Sequence, residues 1–344
     1  MTLRIGVIGL SHDHVWDNLP FAIGHDELEV VAFADVDESL RSKARNLLQC
    51  ESYTDPQDLL DQAELDGVYL FGSNSESAFW GVEAINRGLP ILIEKPLAAR
   101  RDEADRLVAA AHNHQVPIVV NWPFAWWPQL QHGLRMAQDG AIGDIWQVKY
   151  RAAHAGPKEL GCSDHFCKWL FDPELNGGGA LIDYCCYGCL LARTIMGMPS
   201  RVTGIVGRYQ KMGITVEDNA MVVMEYSRGM ATAEGSWTQI GKLTAYTTAF
   251  YGTTGTILVE PRHTGKLLLA DDRSPNGREI EVPESPVATQ NSANQFVHCV
   301  RTGERPQPLC DSDFALDVQH MLSAAQESAS LGQSVSLPLP ISLA

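Results

Sequence analysis

The chain has 344 residues, 45% of them hydrophobic, enough for two domains that each bury a core. Lys and Arg number 26 against 42 Asp and Glu, and the resulting net charge of −16 repels nucleic-acid phosphates and anionic lipid surfaces and disfavours an anionic substrate. There is no apolar run of about 18 residues and no signal-like N-terminus, so a cytoplasmic protein without membrane contact is expected, and its 8 cysteines are too sparse for a disulfide scaffold.

From the N-terminus, short apolar runs alternate with helix-like segments: LRIGVIGL, LEVVAFADV, DGVYLFG and PILIE, closed by VPIVVNW. Parallel strands need crossovers of a dozen or more residues, so this alternation predicts an α/β domain over 1–122 with a doubly wound parallel sheet. Beyond Trp122 the helical PQLQHGLRMAQDG is followed by IWQVKYRAAHA, RVTGIVGRYQ, AMVVMEYSRG, MATAEGSW, AYTTAFYGTTG and TILVEPR, and the last five have no helices between them. These predict a mostly antiparallel sheet in a second α/β domain over 123–344, with one helix from GGGALIDYCCYGCLLARTIMG inserted before most of it. A final helix over 311–331, stopped by Gly332, is free to pack back on the first domain.

The first strand runs into GVIGLSHDH, a turn before a helix, which is the context for pyrophosphate binding at a helix N-terminus. Of the three glycines of a full dinucleotide fingerprint only Gly9 is kept. Ser11 is small and offers a hydroxyl donor, and His14 requires a shifted helix or an outward side chain. Asp35 ends the second strand, where a carboxylate accepts ribose hydroxyls and repels a 2′-phosphate, favouring NAD over NADP. A strand–turn–helix without a ligand reads the same way from the loop alone.

PILIEKPLA places Lys95 just past the carboxyl end of a strand, where open α/β sheets bind ligands, and Pro96 biases Lys95 toward an extended backbone. Gly9, Asp35, GSN (72–74), EKP (94–96), GAIGDI (140–145), GGGALIDYCCYG (177–188) and YGTTG (251–255) together resemble the glucose–fructose oxidoreductase / inositol dehydrogenase / MocA family in order and spacing. The resemblance implies an N-terminal Rossmann dinucleotide-binding domain and a C-terminal α/β domain on a large open antiparallel sheet whose exposed face mediates homodimers or homotetramers. It also implies NAD(P)-linked oxidation of a secondary hydroxyl in a sugar or cyclitol. Lys95 would then lie beside the nicotinamide and the reacting hydroxyl, with Glu94 and Asn74 along the nicotinamide ribose.

Where most members carry Asp and, four residues on, His, this chain has Asp183 and Tyr187, a variant also found in the family. Four residues apart on a helix puts both on one face. Free Tyr is a weak base, and a neighbouring ammonium stabilises the phenolate, so the expected roles are Tyr187 as acid/base, Lys95 as electrostatic activator and Asp183 as hydroxyl orienter. A core aromatic is the plain alternative for Tyr187.

The loop 154–179 precedes that helix and supplies His154, Lys158, His165 and Trp169 as candidates for substrate or cofactor contact. Cys162, His165 and Cys167, and the Cys186–Cys189 pair, lack a second pair at structural-zinc spacing, so no metal is expected. His12 and His14 form an H-x-H in the phosphate loop, where a metal would compete with pyrophosphate; His12 is expected to reach the cofactor. Trp122, in NWPFAWWPQL, reads as interdomain packing or as a flat face for a sugar ring. The leading function is hydride transfer between NAD and a secondary hydroxyl or ketone of a sugar- or cyclitol-like polyol. The alternatives are a transient-redox lyase, glycosidase or epimerase with tightly held NAD, and a redox-inactive sugar-binding relative.

Overall fold

The computed structural model describes residues 2–339, which divide into two compact units. The first comprises the chain up to Trp122 together with Cys162–Gly177 and Pro286–Leu316. The second comprises Pro123–Gly161, Gly178–Ser285 and the chain from Asp317 onward.

In the first unit, β1 (Leu3–Ile8), β2 (Leu28–Ala34), β3 (Glu51–Tyr53), β4 (Gly67–Leu70), β5 (Ile91–Glu94) and β6 (Ile118–Asn121) form one sheet in the order β3-β2-β1-β4-β5-β6. Every pairing is parallel. Helices α1 (Val15–Ile23), α2 (Glu38–Arg45), α3 (Pro56–Gln62), α4 (Asn74–Ile85) and α5 (Arg101–His114) make the crossovers. β4, β5 and β6 are buried at every residue, as a sheet covered on both faces requires. β3, three residues long, carries too little apolar signal to stand out in the sequence.

The strand order reverses between β1 and β4, and that switch point is where such sheets bind ligands. Gly9 sits there with φ +79, and a Cβ on it would lie 2.4 Å from the Gly72 nitrogen. Its lack of a side chain is therefore required twice, by the left-handed backbone and by the approach of the β4–α4 turn.

The second unit opens with α6 (Pro128–Gln138), β7 (Ile145–Ala153) and the short α7 (Pro157–Leu160). The chain then supplies α8 (Asp164–Leu170) and α9 (Pro173–Asn176) to the first unit before returning in α10 (Cys186–Met196). Strands β8 (Arg201–Gly207), β9 (Asn219–Tyr226), β10 (Gly229–Ser236), β11 (Tyr246–Gly252), β12 (Gly255–Val259), β13 (Leu267–Asp271), β14 (Ser274–Ile280) and β15 (Val335–Ser336) complete a nine-stranded sheet. Its order is β14-β13-β12-β11-β7-β10-β9-β8-β15, antiparallel except where β10 meets β7.

Segment 286–316 joins the first unit through α11 (Ser292–Thr302), whose Ser292 hydroxyl donates to Asn18 Oδ1 at 2.6 Å and whose Phe296 is wholly buried. The last helix, α12 (Ser312–Leu331), ends before Gly332, whose φ of +67 is the usual left-handed stop. No helix among the described residues is long and apolar enough to cross a membrane.

Candidate active site

The first unit gathers its functional side chains at the carboxyl edge of the parallel sheet. Asp35 is 7% exposed and ties the loop together, accepting Leu10 N–H at 2.7 Å and Asp37 N–H at 2.8 Å. Burial raises its carboxyl from the ordinary value, opposed by those two donors. Each oxygen retains a lone pair for a further donor. Asp37 and Glu38 follow directly, and Arg41, the buried cation beside them, is engaged by the Asp35 carbonyl and by Glu38.

In the glycine-poor loop, Gly9 N–H, Leu10 N–H and His12 N–H are bonded within the fold. Among the described residues no acceptor faces Ser11 N–H or Asp13 N–H, which leaves two backbone donors beside the start of α1. That donor set fits the pyrophosphate of a dinucleotide, and the carboxylates after β2 fit its adenosine ribose.

Neither His12 nor His14 extends into that donor set. Both turn toward Glu94, which is 2% exposed: His14 Nδ1 lies 3.1 Å from Glu94 Oε2 and His12 Nε2 3.9 Å from the same atom. Glu94 Oε1 accepts the Asn121 amide. The three groups' ligand atoms converge within 4.8 Å. His14 N–H, however, donates to His12 Nδ1 at 3.2 Å, which puts the proton of the neutral ring on Nε2, the atom a metal would need. A metal-bound histidine instead donates from its outer nitrogen, so the arrangement is a hydrogen-bonded cluster on one carboxylate. Burial pushes His12 well below the ordinary imidazole value, with the charges of His14 and Lys95 adding to it. For His14, burial is outweighed by the charge of Glu94 and its hydrogen bond, and the net shift is upward. Lys95, 4% exposed at the end of β5, acts on both rings.

Sequence reasoning placed the loop 154–179 in the second domain; residues 162–177 belong to the first unit. Ser163 N–H donates to Asp13 Oδ2 at 2.7 Å, and Trp169 Nε1–H donates to the Ser11 carbonyl at 3.3 Å. The rings of Phe166 and Trp169 pack on His12 at centroid distances of 4.9 and 5.4 Å. His165, expected near substrate, lies 3.3 Å from Asp37 Oδ2 and 3.2 Å from the Ser39 hydroxyl, at the end of β2. Asn74 donates to Asn176 Oδ1 at 2.8 Å. Trp122 has no exposed surface, which removes it as an open face for a sugar ring.

In the second unit the Asp183 segment begins with a π-helical turn, Leu181–Cys185, before α10, where a regular α-helix was expected. Such turns recur at functional sites because the extra residue re-aims side chains. Glu217 holds its start, with Oε1 accepting Gly179 N–H at 2.7 Å and Leu181 N–H at 3.0 Å. Asp183 is half-buried and its Oδ2 accepts Trp237 Nε1–H at 3.2 Å. Tyr187, 7% exposed, stacks on Tyr150 at 5.9 Å and meets the edge of Phe124 at 4.8 Å, while Tyr184 lies 6.2 Å away. His154 adjoins Tyr184 at 5.2 Å, and Lys158 stands exposed on α7. Trp237, Glu217 and Asn121 were not found by sequence reasoning, since none has a local motif that marks it.

Comparison with known proteins gives two family matches. Residues 3–122 match the GFO/IDH/MocA oxidoreductase family with an NAD-binding Rossmann fold, and residues 131–258 match the GFO/IDH/MocA C-terminal domain. The dTDP-3,4-didehydro-2,6-dideoxy-alpha-D-glucose 3-reductase of Streptomyces antibioticus is 28% identical over 240 residues, covering 67% of this chain and 70% of that protein. The D-xylose 1-dehydrogenase (NADP(+)) 2 of Haloferax volcanii is 27% identical over 349 residues, covering 97% of this chain and 100% of that protein. Levoglucosan dehydrogenase, solved in complex with NADH and levoglucosan, has the same fold, with a TM-score of 0.83 at 19% identity over 98% of this chain and 100% of that one.

Proposed function

The chain belongs to the GFO/IDH/MocA family of NAD(P)-dependent oxidoreductases acting on CH–OH groups, and we propose that it uses NAD to interconvert a secondary hydroxyl and a ketone in a neutral sugar or cyclitol. The observation that carries this reading is the Asp183–Tyr187 pair on one helical segment, set among aromatic rings in a unit of this family. The sugar-specific relatives support the substrate class. For NAD over NADP, the support is the run of Asp35, Asp37 and Glu38 after β2 with Arg41 already engaged, a setting that repels a 2′-phosphate.

NAD, when bound, supplies the hydride acceptor. Asp35 would take the adenosine ribose hydroxyls, Ser11 and Asp13 N–H the pyrophosphate, and Trp169 would pack against the cofactor. In the second unit Tyr187 would act as the acid/base toward the substrate hydroxyl and Asp183 would orient that hydroxyl, and the role proposed for Lys95 of the first unit is that of electrostatic activator. We further propose that a second copy covers the outer face of the nine-stranded sheet, where Ile205, Met221 and Met230 are 57%, 38% and 45% exposed. Light scattering of the purified chain should give a dimer or tetramer mass.

One observation favours a second reading, in which NAD is retained through a redox-neutral cycle. Residues 162–177 are fastened to the nucleotide loop at Asp13 and Ser11 and to the β2 end at Asp37, across the dinucleotide's expected seat. One experiment separates the two. The purified protein is denatured and assayed for released nucleotide, and the apo form is titrated with NAD and NADP while polyols are screened for reduced nicotinamide. Free NADH production supports the dehydrogenase; stoichiometric bound nucleotide with no net NADH supports the cycle. Binding of neither cofactor at millimolar concentration would remove both.

A further inference from the structure

His154 lies just past the end of β7, and its backbone is clamped on both sides: its N–H donates to the Ser236 carbonyl at 3.0 Å, and its carbonyl accepts Gln239 N–H at 3.0 Å. The ring is held as firmly. Gly156 N–H donates to Nδ1 at 2.9 Å, so a neutral imidazole must carry its proton on Nε2. Gly156 can do this because it adopts φ +132, a region closed to other residues, and because a Cβ there would strike Glu159 and Lys211, which are themselves ion-paired. The edge of Tyr184 fixes the ring plane at 69°.

Burial foremost, with the Lys211 ammonium adding to it, holds His154 below the ordinary imidazole value, against the pull of the Asp183 carboxylate. The residue is 7% exposed, yet among the described residues Nε2–H has no acceptor. A donor locked in one tautomer, nearly buried and unpartnered, is the mark of a group waiting for a ligand.

We propose that His154 presents its Nε2–H as a fixed hydrogen-bond donor to an uncharged substrate oxygen, a hydroxyl or ring ether of the polyol, and so sets specificity beside Asp183 and Tyr187. The ligand class rests on the sugar-oxidising reading above. The locked proton demands an acceptor, and the half-buried Asp183 carboxylate nearby excludes a carboxylate in that place. His154 is a binding residue in this scheme and moves no proton.

The test uses the full chain near pH 7, with and without NAD. Long-range ¹H–¹⁵N spectra, assigned with His154→Phe, should show the proton on Nε2. D-xylose, D-glucose and myo-inositol serve as probes, and at least one should shift the Nε2 resonance while D-glucuronate leaves it in place. His154→Phe should weaken that probe's binding about tenfold, and His154→Gln, which keeps a donor at similar reach, should recover part of the loss. In turnover the loss should fall on KM more than on kcat. A proton on Nδ1, an Nε2 resonance unmoved by all three sugars, or undiminished binding in His154→Phe would overturn the proposal. NAD reduction at an unaltered KM in His154→Phe would remove His154 and leave the oxidoreductase standing. Sugar binding through Nε2 without any NAD reduction would do the reverse.

Discussion

Gly188 offers a direct test of how the fold holds the acid–base segment. A Cβ at this position of α10 would lie 2.4 Å from the Ala233 Cβ and 2.9 Å from the Tyr150 Cβ. Carbon atoms pack at about 3.5–4.0 Å, so Gly188→Ala is more than an ångström too tight. Ala233 and Tyr150 face each other across β10 and β7, and Ala233 also pairs with Val222, so these strands are interior to the sheet and α10 must give way. Two effects compete. Removing a glycine from a helix interior favours folding by about 1 kcal/mol, whereas overpacking a buried contact costs roughly 1–3 kcal/mol. Because backbone-tied strands block relaxation, overpacking should win, with net destabilisation of up to about 2 kcal/mol and a melting point lower by a few degrees. The retreat carries Asp183 and Tyr187 with it, and a displacement of about 1 Å can cost on the order of 10²-fold in rate. Calorimetry and steady-state kinetics on Gly188→Ala and on Gly188→Ala/Ala233→Gly should show both losses in the first and partial recovery in the second. A single variant more stable than the parent and equally active would mean that helix propensity decides and that the close packing does not position the site.

Other expectations follow from the same geometry. Tyr187→Phe keeps the stacked ring and loses the hydroxyl, so turnover should fall about 10²- to 10⁴-fold with the fold intact, and near-parental turnover would remove Tyr187 from proton transfer. Trp169→Phe deletes the donor to the Ser11 carbonyl, a bond worth about 0.5–1.5 kcal/mol, so stopped-flow measurement should show nucleotide leaving about 2- to 10-fold faster; an unchanged rate would show that residues 162–177 do not retain it. The His14–Glu94 pair raises His14, so its stabilisation is fully present below the unfolded imidazole value of about 6.5 and is lost as pH rises through the raised folded value. Urea midpoints across neutral and mildly alkaline pH should therefore fall less steeply in His14→Asn than in the parent. Parallel curves would count against the pairing.

The parallel βαβ sheet was legible because β1, β2, β4 and β5 are apolar runs spaced by helix-length crossovers, a pattern that local composition carries by itself. The places of Lys95, Asp35 and the Asp183–Tyr187 pair in the fold were legible for the same reason: each lies at a strand end or on one short helical segment. The sequence also determined the stop of α12 at Gly332, since a left-handed residue ends a helix wherever it stands.

GVIGLSHDH posed what the sequence left open. His12 and His14 turn to Glu94, some 80 residues on, while Asp13 and Ser11 receive donors from Ser163 and Trp169, some 150 residues on. These partners hold residues 162–177 in the first unit, where sequence reasoning had them in the second domain. Periodicity reports which face of an element is buried. Which distant group meets a buried carboxylate or imidazole is set by how the elements pack, and only the tertiary structure decided it.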